Sequence, residues 1–197
     1  MGQEFLNQYQ YIINDPSSQT KQGQLSLEEY AAISAFVAHS YDFCAYLRAD
    51  RQPHEAIYED AIQAMQSLLP KSPLSTAPIL YRGTYLPNTV FHEILTTCQY
   101  NDKAFVSTTD REFDAKRHMV MNTDMGLEEE YRMVVFIITQ HHSGRDVSHL
   151  SSITTIDGNE TIFHPGTRFQ VTSVGKDTIN YNDGSSQEID AITLIEV

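Results

Sequence analysis

No stretch of the 197-residue chain approaches the ~18 consecutive apolar residues of a membrane-spanning helix, so no span is expected. The opening Met1-Gly2-Gln3-Glu4-Phe5-Leu6 lacks the cationic segment and apolar run of a secretory leader, and Leu6 stands where a myristoylation signal has Ser or Thr. Any export is therefore expected to use a specialised secretion system that delivers the protein into a target cell, where it would act in the cytosol; otherwise the expected compartment is the cytoplasm. Cysteine is scarce. Cys44 and Cys98 have no metal-ligand spacing and fall in segments that read as helices, so reduced, partly buried thiols are expected and no metal is implied. Basic residues are also few, 13 Lys and Arg against 26 Asp and Glu, a net charge of −13. Such a surface repels a phosphate backbone, which disfavours nucleic acid as a partner and favours solubility. There is no internal repeat and no low-complexity tract.

The rest of the composition is ordinary for a globular protein, with 41% hydrophobic and 20% charged residues. One domain over 1–197 is expected, with a helical subregion at 1–72 and a β-rich core at 73–197. Residues 1 to 25 read as a Gln-, Asn- and Ser-rich arm. Ser26 followed by Leu27-Glu28-Glu29 is a capping box, and Tyr30, Ile33, Phe36, Val37, Tyr41, Cys44 and Leu47 then recur at helical spacing, predicting a helix over 27–49. Pro53 opens a second helix that ends by Pro70. After the loop at 71–78 come short β-like runs at 79–83, 104–108, 133–139, 160–163, 168–174, 178–181 and 189–197, with helical stretches near 88–98 and 110–121. Helices first and then a mainly antiparallel sheet define an α+β fold.

Three segments carry chemistry. Leu80-Tyr81-Arg82-Gly83 places a guanidinium in an apolar strand, where it needs an anion, either a carboxylate or a ligand phosphate. Phe105-Val106-Ser107-Thr108-Thr109 ends a strand with three hydroxyls and leads into Asp110. The third segment, from Asp157-Gly158-Asn159-Glu160 to Arg168-Phe169, brings one acid into an otherwise apolar strand. Singly these suit a structural ion pair, a helix cap and an edge carboxylate. Their order along the chain is more informative.

In that order they resemble the R-S-E class of mono-ADP-ribosyltransferases, the family of arginine-modifying ectoenzymes and many bacterial toxins and effectors. Tyr81-Arg82-Gly83 matches its aromatic-Arg-Gly strand, and Phe105-Val106-Ser107-Thr108-Thr109 its Phe-x-Ser-Thr-Ser element, with Thr109 in place of the last Ser. Gly144-Arg145-Asp146-Val147-Ser148-His149-Leu150-Ser151 is similar to the stretch preceding the family's catalytic loop. Glu160 followed by Pro165-Gly166-Thr167-Arg168-Phe169-Gln170-Val171 resembles its glutamate strand.

The resemblance implies a split β-sandwich packed against the N-terminal helices, and a reaction in which NAD loses nicotinamide and ADP-ribose passes to a target protein. It implies that Glu160 stabilises the cation-like ribose, that Ser107 orients Glu160, and that Arg82 binds the pyrophosphate. Tyr81, Gly83, Ser107 and Thr108 join Arg82 as expected NAD-binding residues. NAD is a co-substrate, and no metal is required.

Asp157, Gly158 and Asn159 occupy the position at which the family recognises its target. Relatives carry Glu or Gln two residues before the catalytic glutamate, whereas Gly158 offers no side chain there. Residues two apart on a strand share a face, so an acceptor-activating group is missing at this position. An NAD glycohydrolase, in which water takes the ribose, is therefore the alternative. A catalytically silent NAD-fold binding module is a third reading, against which the retention of Arg82, Ser107 and Glu160 counts. His141-His142 reads as a solvated pair at a strand end and Glu128-Glu129-Glu130 as a solvated charge run.

Overall fold

The computed structural model describes residues 25–48, 56–121, 130–150, 159–181 and 183–197. Helix α1 (Leu27–Arg48) opens with the predicted capping box: Glu29 N–H donates to Ser26 Oγ at 3.2 Å, and Ser26 N–H to Glu29 Oε2 at 3.0 Å. The same buried carboxylate accepts Ser67 Oγ–H at 2.9 Å and Lys71 Nζ at 2.5 Å. The cap thus also ties α1 to α2 (Ala56–Leu68) and to the 3₁₀ turn Leu69–Lys71 that follows. Pro70, expected to stop the second helix, sits in the first turn of that 3₁₀ segment, where its missing N–H breaks no bond. The expected opening at Pro53 and the arm before residue 25 lie outside the described residues.

The remaining elements run β1 (Leu80–Pro87), α3 (Asn88–Thr97), β2 (Gln99–Asn101), β3 (Val106–Thr109), α4 (Glu112–Met121), β4 (Tyr131–Gln140), β5 (Arg145–Asp146), β6 (Glu160–Phe163), β7 (Arg168–Asn180) and β8 (Ser186–Glu196). The strands lie in the order β2-β7-β8-β4-β1-β3-β6-β5. Every neighbouring pair is antiparallel except β4 and β8.

Several boundaries differ from the sequence reading. β1 continues past Gly83 because it pairs with β4 as far as Pro87–Tyr131. The two runs expected at 168–174 and 178–181 are one strand, since Gly175 and Lys176 stay in register with Ala191 and Asp190 of β8. The short strands β2 and β5 have no sequence signature of their own. Cys98 lies just beyond α3 with φ 53°, exposed rather than partly buried, while Cys44 is buried.

The sheet divides between β1 and β3, which are paired only at Tyr81–Thr109. Beyond that pair the long half (β2-β7-β8-β4-β1) and the short half (β3-β6-β5) face each other. Val106 and Phe163 of the short half pack with Leu80, Phe136 and Phe169 of the long half, and the Phe163 and Phe169 rings meet edge to face at 5.2 Å. Helices α1 and α2 cover the outside of the short half, with Phe36 and Met65 in one core with Phe105 and Ile162. Helix α4 covers the outside of the long half, where Met119 packs with Val135, Ile179 and Ile189. This is the expected α+β split sandwich, and it leaves a seam where β1, β3 and β6 meet.

Candidate active site

Strand alternation determines which hydroxyls of β3 reach the seam. Thr109 pairs with Glu160 and Ser107 with Ile162, so Ser107, Thr109 and Glu160 share one face. On that face Ser107 Oγ–H donates to Glu160 Oε1 at 2.7 Å. Desolvation pushes the Glu160 carboxyl above its ordinary pKa, and the Ser107 hydrogen bond partly counters it. Arg82 enters from β1 and donates from Nη1 to the main-chain carbonyl of Ser107 at 2.9 Å. Its Nε is buried and has no partner among the described residues. A buried guanidinium donor in this state calls for an acceptor, and a phosphate oxygen suits its planar fork. His118 of α4 lies close enough that, after burial, the Arg82 charge lowers its pKa further.

The structure thus brings together Arg82, Ser107 and Glu160 from three strands. Thr108 faces the other way: it is buried and donates its hydroxyl to Thr161 O at 2.8 Å. Gly83 faces α4, where a Cβ would stand 2.0 Å from Ala115 O, so close helix packing by itself demands a glycine. Tyr81 is half-buried beside the same helix; burial and then Glu112 raise its phenol pKa.

Asn159 is exposed and clamped to Asp110. Its N–H donates to Asp110 Oδ1 at 2.9 Å, its Nδ2 donates to Oδ2 at 2.8 Å, and Asp110 N–H returns to Asn159 O at 3.3 Å. Sequence reasoning assigned Asp110 no role, and its position after the three hydroxyls was the only available signal. Asp157 and Gly158 lie outside the described residues, as do Glu128 and Glu129. His141 bonds to Ala77 O through Nε2 at 2.8 Å, and the His142 N–H donates to Glu196. Among the described residues no group of three or more His, Cys, Asp or Glu is placed to hold a metal, and no helix is long and apolar enough to cross a membrane.

The sequence matches no protein-family model and no curated protein. Its structure is similar to several solved bacterial toxins and effectors, among them the ADP-ribosyltransferase Vis. The Vis toxin from Vibrio splendidus is 20% identical, with a TM-score of 0.63 over 100% of this chain and 87% of that one. A structure of Vis in complex with agmatine gives 21% identity and a TM-score of 0.64, over 100% of this chain and 86% of that one. Exoenzyme S from Pseudomonas aeruginosa, in complex with human 14-3-3 protein beta and bound to carba-NAD, is 16% identical with a TM-score of 0.61 over 98% of this chain and 89% of that one. The type III effector XopAI from Xanthomonas axonopodis pv. citri is 16% identical, also at 0.61, over 99% of this chain and 73% of that one. The chain has the ADP-ribosyltransferase fold.

Proposed function

We propose that the protein is a mono-ADP-ribosyltransferase that cleaves NAD at the nicotinamide–ribose bond and transfers ADP-ribose to a target protein. The observation that carries this reading is the hydrogen-bonded Ser107–Glu160 pair beside Arg82 at the seam of the split sheet. Departure of nicotinamide leaves positive charge on the ribose, and a desolvated carboxylate held in one orientation stabilises that charge more strongly than water does. The free face of Arg82 binds the pyrophosphate, and Ser107 keeps Glu160 aimed at the sugar. The acceptor approaches past Asn159, and the sequence resemblance adds Asp157 and Gly158 to target recognition. The similarity to toxins and a type III effector supports delivery into a target cell and action in its cytosol.

The test is incubation with labelled NAD, with and without cell lysates and with agmatine as a small guanidine acceptor, while nicotinamide release is measured in parallel. Transfer of label to a protein, abolished by Glu160→Gln, is the expected result. Gly158, which offers the acceptor no side chain, favours a second reading as an NAD glycohydrolase. Nicotinamide release without label on any acceptor would select it.

A further inference from the structure

Glu160 is the first residue of β6, and strand ends are poorly held unless something replaces the missing ladder. On the β5 side the regular pairing Arg145–Ile162 and Asp146–Thr161 leads to Val147 opposite Glu160, and Val147 N–H does donate to Glu160 O at 3.0 Å. The reciprocal bond is diverted, because the Val147 carbonyl accepts Leu150 N–H at 2.9 Å. The Glu160 N–H donates instead to Ser148 Oγ at 2.9 Å. Ser148 is held in turn by Asp146, whose Oδ1 accepts the Ser148 hydroxyl at 2.6 Å and its N–H at 2.9 Å. With the hydroxyl proton directed to Asp146, an oxygen lone pair is left for Glu160, and the carboxylate polarises that oxygen into a better acceptor.

From this geometry we infer that Ser148, aimed by Asp146, is a positioning residue for Glu160 that replaces the missing ladder carbonyl and places the catalytic carboxylate within reach of Ser107. The inference rests on the proposed NAD cleavage and adds to it residues that touch no substrate. Ser148 acts on the main chain of Glu160 and Ser107 on its side chain, so the two hold the residue at both ends. The Asp146-Val147-Ser148 segment thereby gains a physical role at the site. Because only the placement of Glu160 changes, the effect falls on the chemical step and not on NAD binding.

The experiment measures nicotinamide release from NAD by the full chain, giving kcat and KM, together with thermal midpoints. Wild type and Glu160→Gln calibrate the assay: an inactive wild type, or an active Glu160→Gln, would overturn the proposed function and this inference with it. With that baseline in place, Ser148→Ala is expected to lower kcat about 30-fold or more while KM for NAD stays within about twofold. Ser148→Thr, which keeps the hydroxyl, is expected to recover kcat to within about fivefold of wild type. Asp146→Asn keeps the shape but loses the charge, and is expected to lower kcat by about three- to tenfold. It also serves as the second variant should Ser148→Ala fail to fold. A folded Ser148→Ala or Asp146→Asn with wild-type kcat would overturn the inference. So would Ser148→Thr matching Ser148→Ala, or loss of activity tracking the thermal midpoint across the series.

Discussion

Arg48 grips Asp102 with two parallel hydrogen bonds, Nε to Oδ1 at 2.9 Å and Nη2 to Oδ2, joining the last residue of α1 to the loop ahead of β3. Asp102 also accepts Tyr100 Oη–H at 3.0 Å and Ala104 N–H at 2.9 Å, and its main-chain carbonyl takes Gly166 N–H at 2.7 Å. The pair therefore fastens the helical layer to the strand that carries Ser107. Burial alone would raise the Asp102 pKa, but the Arg48 hydrogen bonds and charge, with Arg82 nearby, hold it below the usual carboxylate value.

Arg48→Met leaves Asp102 buried without its cation and is expected to cost about 3 kcal/mol, read by denaturant unfolding at neutral pH. A carboxylate with a depressed folded pKa contributes stability above its unfolded value of about 3.9, and that stability is lost as pH falls through the lower folded value. The wild-type thermal midpoint is thus expected to drop below about pH 4, and the Arg48→Met variant to show a weaker dependence there. Equal acid dependence in both proteins would contradict this role.

Glu160→Gln separates function from stability. Nicotinamide release is expected to fall at least about 100-fold, because the neutral amide cannot stabilise the ribosyl cation. Its folded pKa is raised, so ionised Glu160 costs folding free energy at pH values above that pKa, and the cost vanishes below the unfolded pKa. The variant is therefore expected to melt higher than wild type at neutral pH. Loss of activity with a lower midpoint would point to misfolding instead.

Ser107→Ala removes the hydrogen bond that lowers the Glu160 pKa. The carboxylate is the active form, so activity is lost as pH falls through the Glu160 pKa, and in the variant that loss is expected at higher pH. A pH profile of kcat with an unmoved acid limb would show that Ser107 does not tune the carboxylate.

Arg82→Lys replaces a planar fork by a point charge and removes the buried Nε donor. KM for NAD is expected to rise about tenfold, corresponding to about 1.4 kcal/mol. An unchanged KM would remove Arg82 from the pyrophosphate site.

Gly83→Ala drives a methyl into Ala115 O and the Met119 side chain. A loss of about 2–3 kcal/mol in unfolding free energy is expected from this overpacking. A folded, stable variant with weakened NAD binding would instead assign Gly83 to the ligand.

The local features of this protein were legible in the sequence because they depend on near neighbours. The capping box at Ser26 and Glu29 lies within one helical turn, and the continuous apolar runs Ile162-Phe163 and Met133 to Ile138 report strands covered on both faces. The order of Arg82, Ser107 and Glu160 was readable through the family resemblance, since singly each residue type also suits a structural role. Contacts between distant residues were decided only by the tertiary structure. The hairpin register with β8 makes 168–180 continuous through Gly175, and the lone Tyr81–Thr109 pair that splits the sheet and the edge strands β2 and β5 arise from registers between segments far apart in the chain. So do the grip of Arg48 on Asp102, the clamp of Asp110 on Asn159 and the Ser148 hydroxyl behind Glu160. Periodicity reports the face a residue presents, whereas the partner it meets there depends on how the two half-sheets and their helices close on one another.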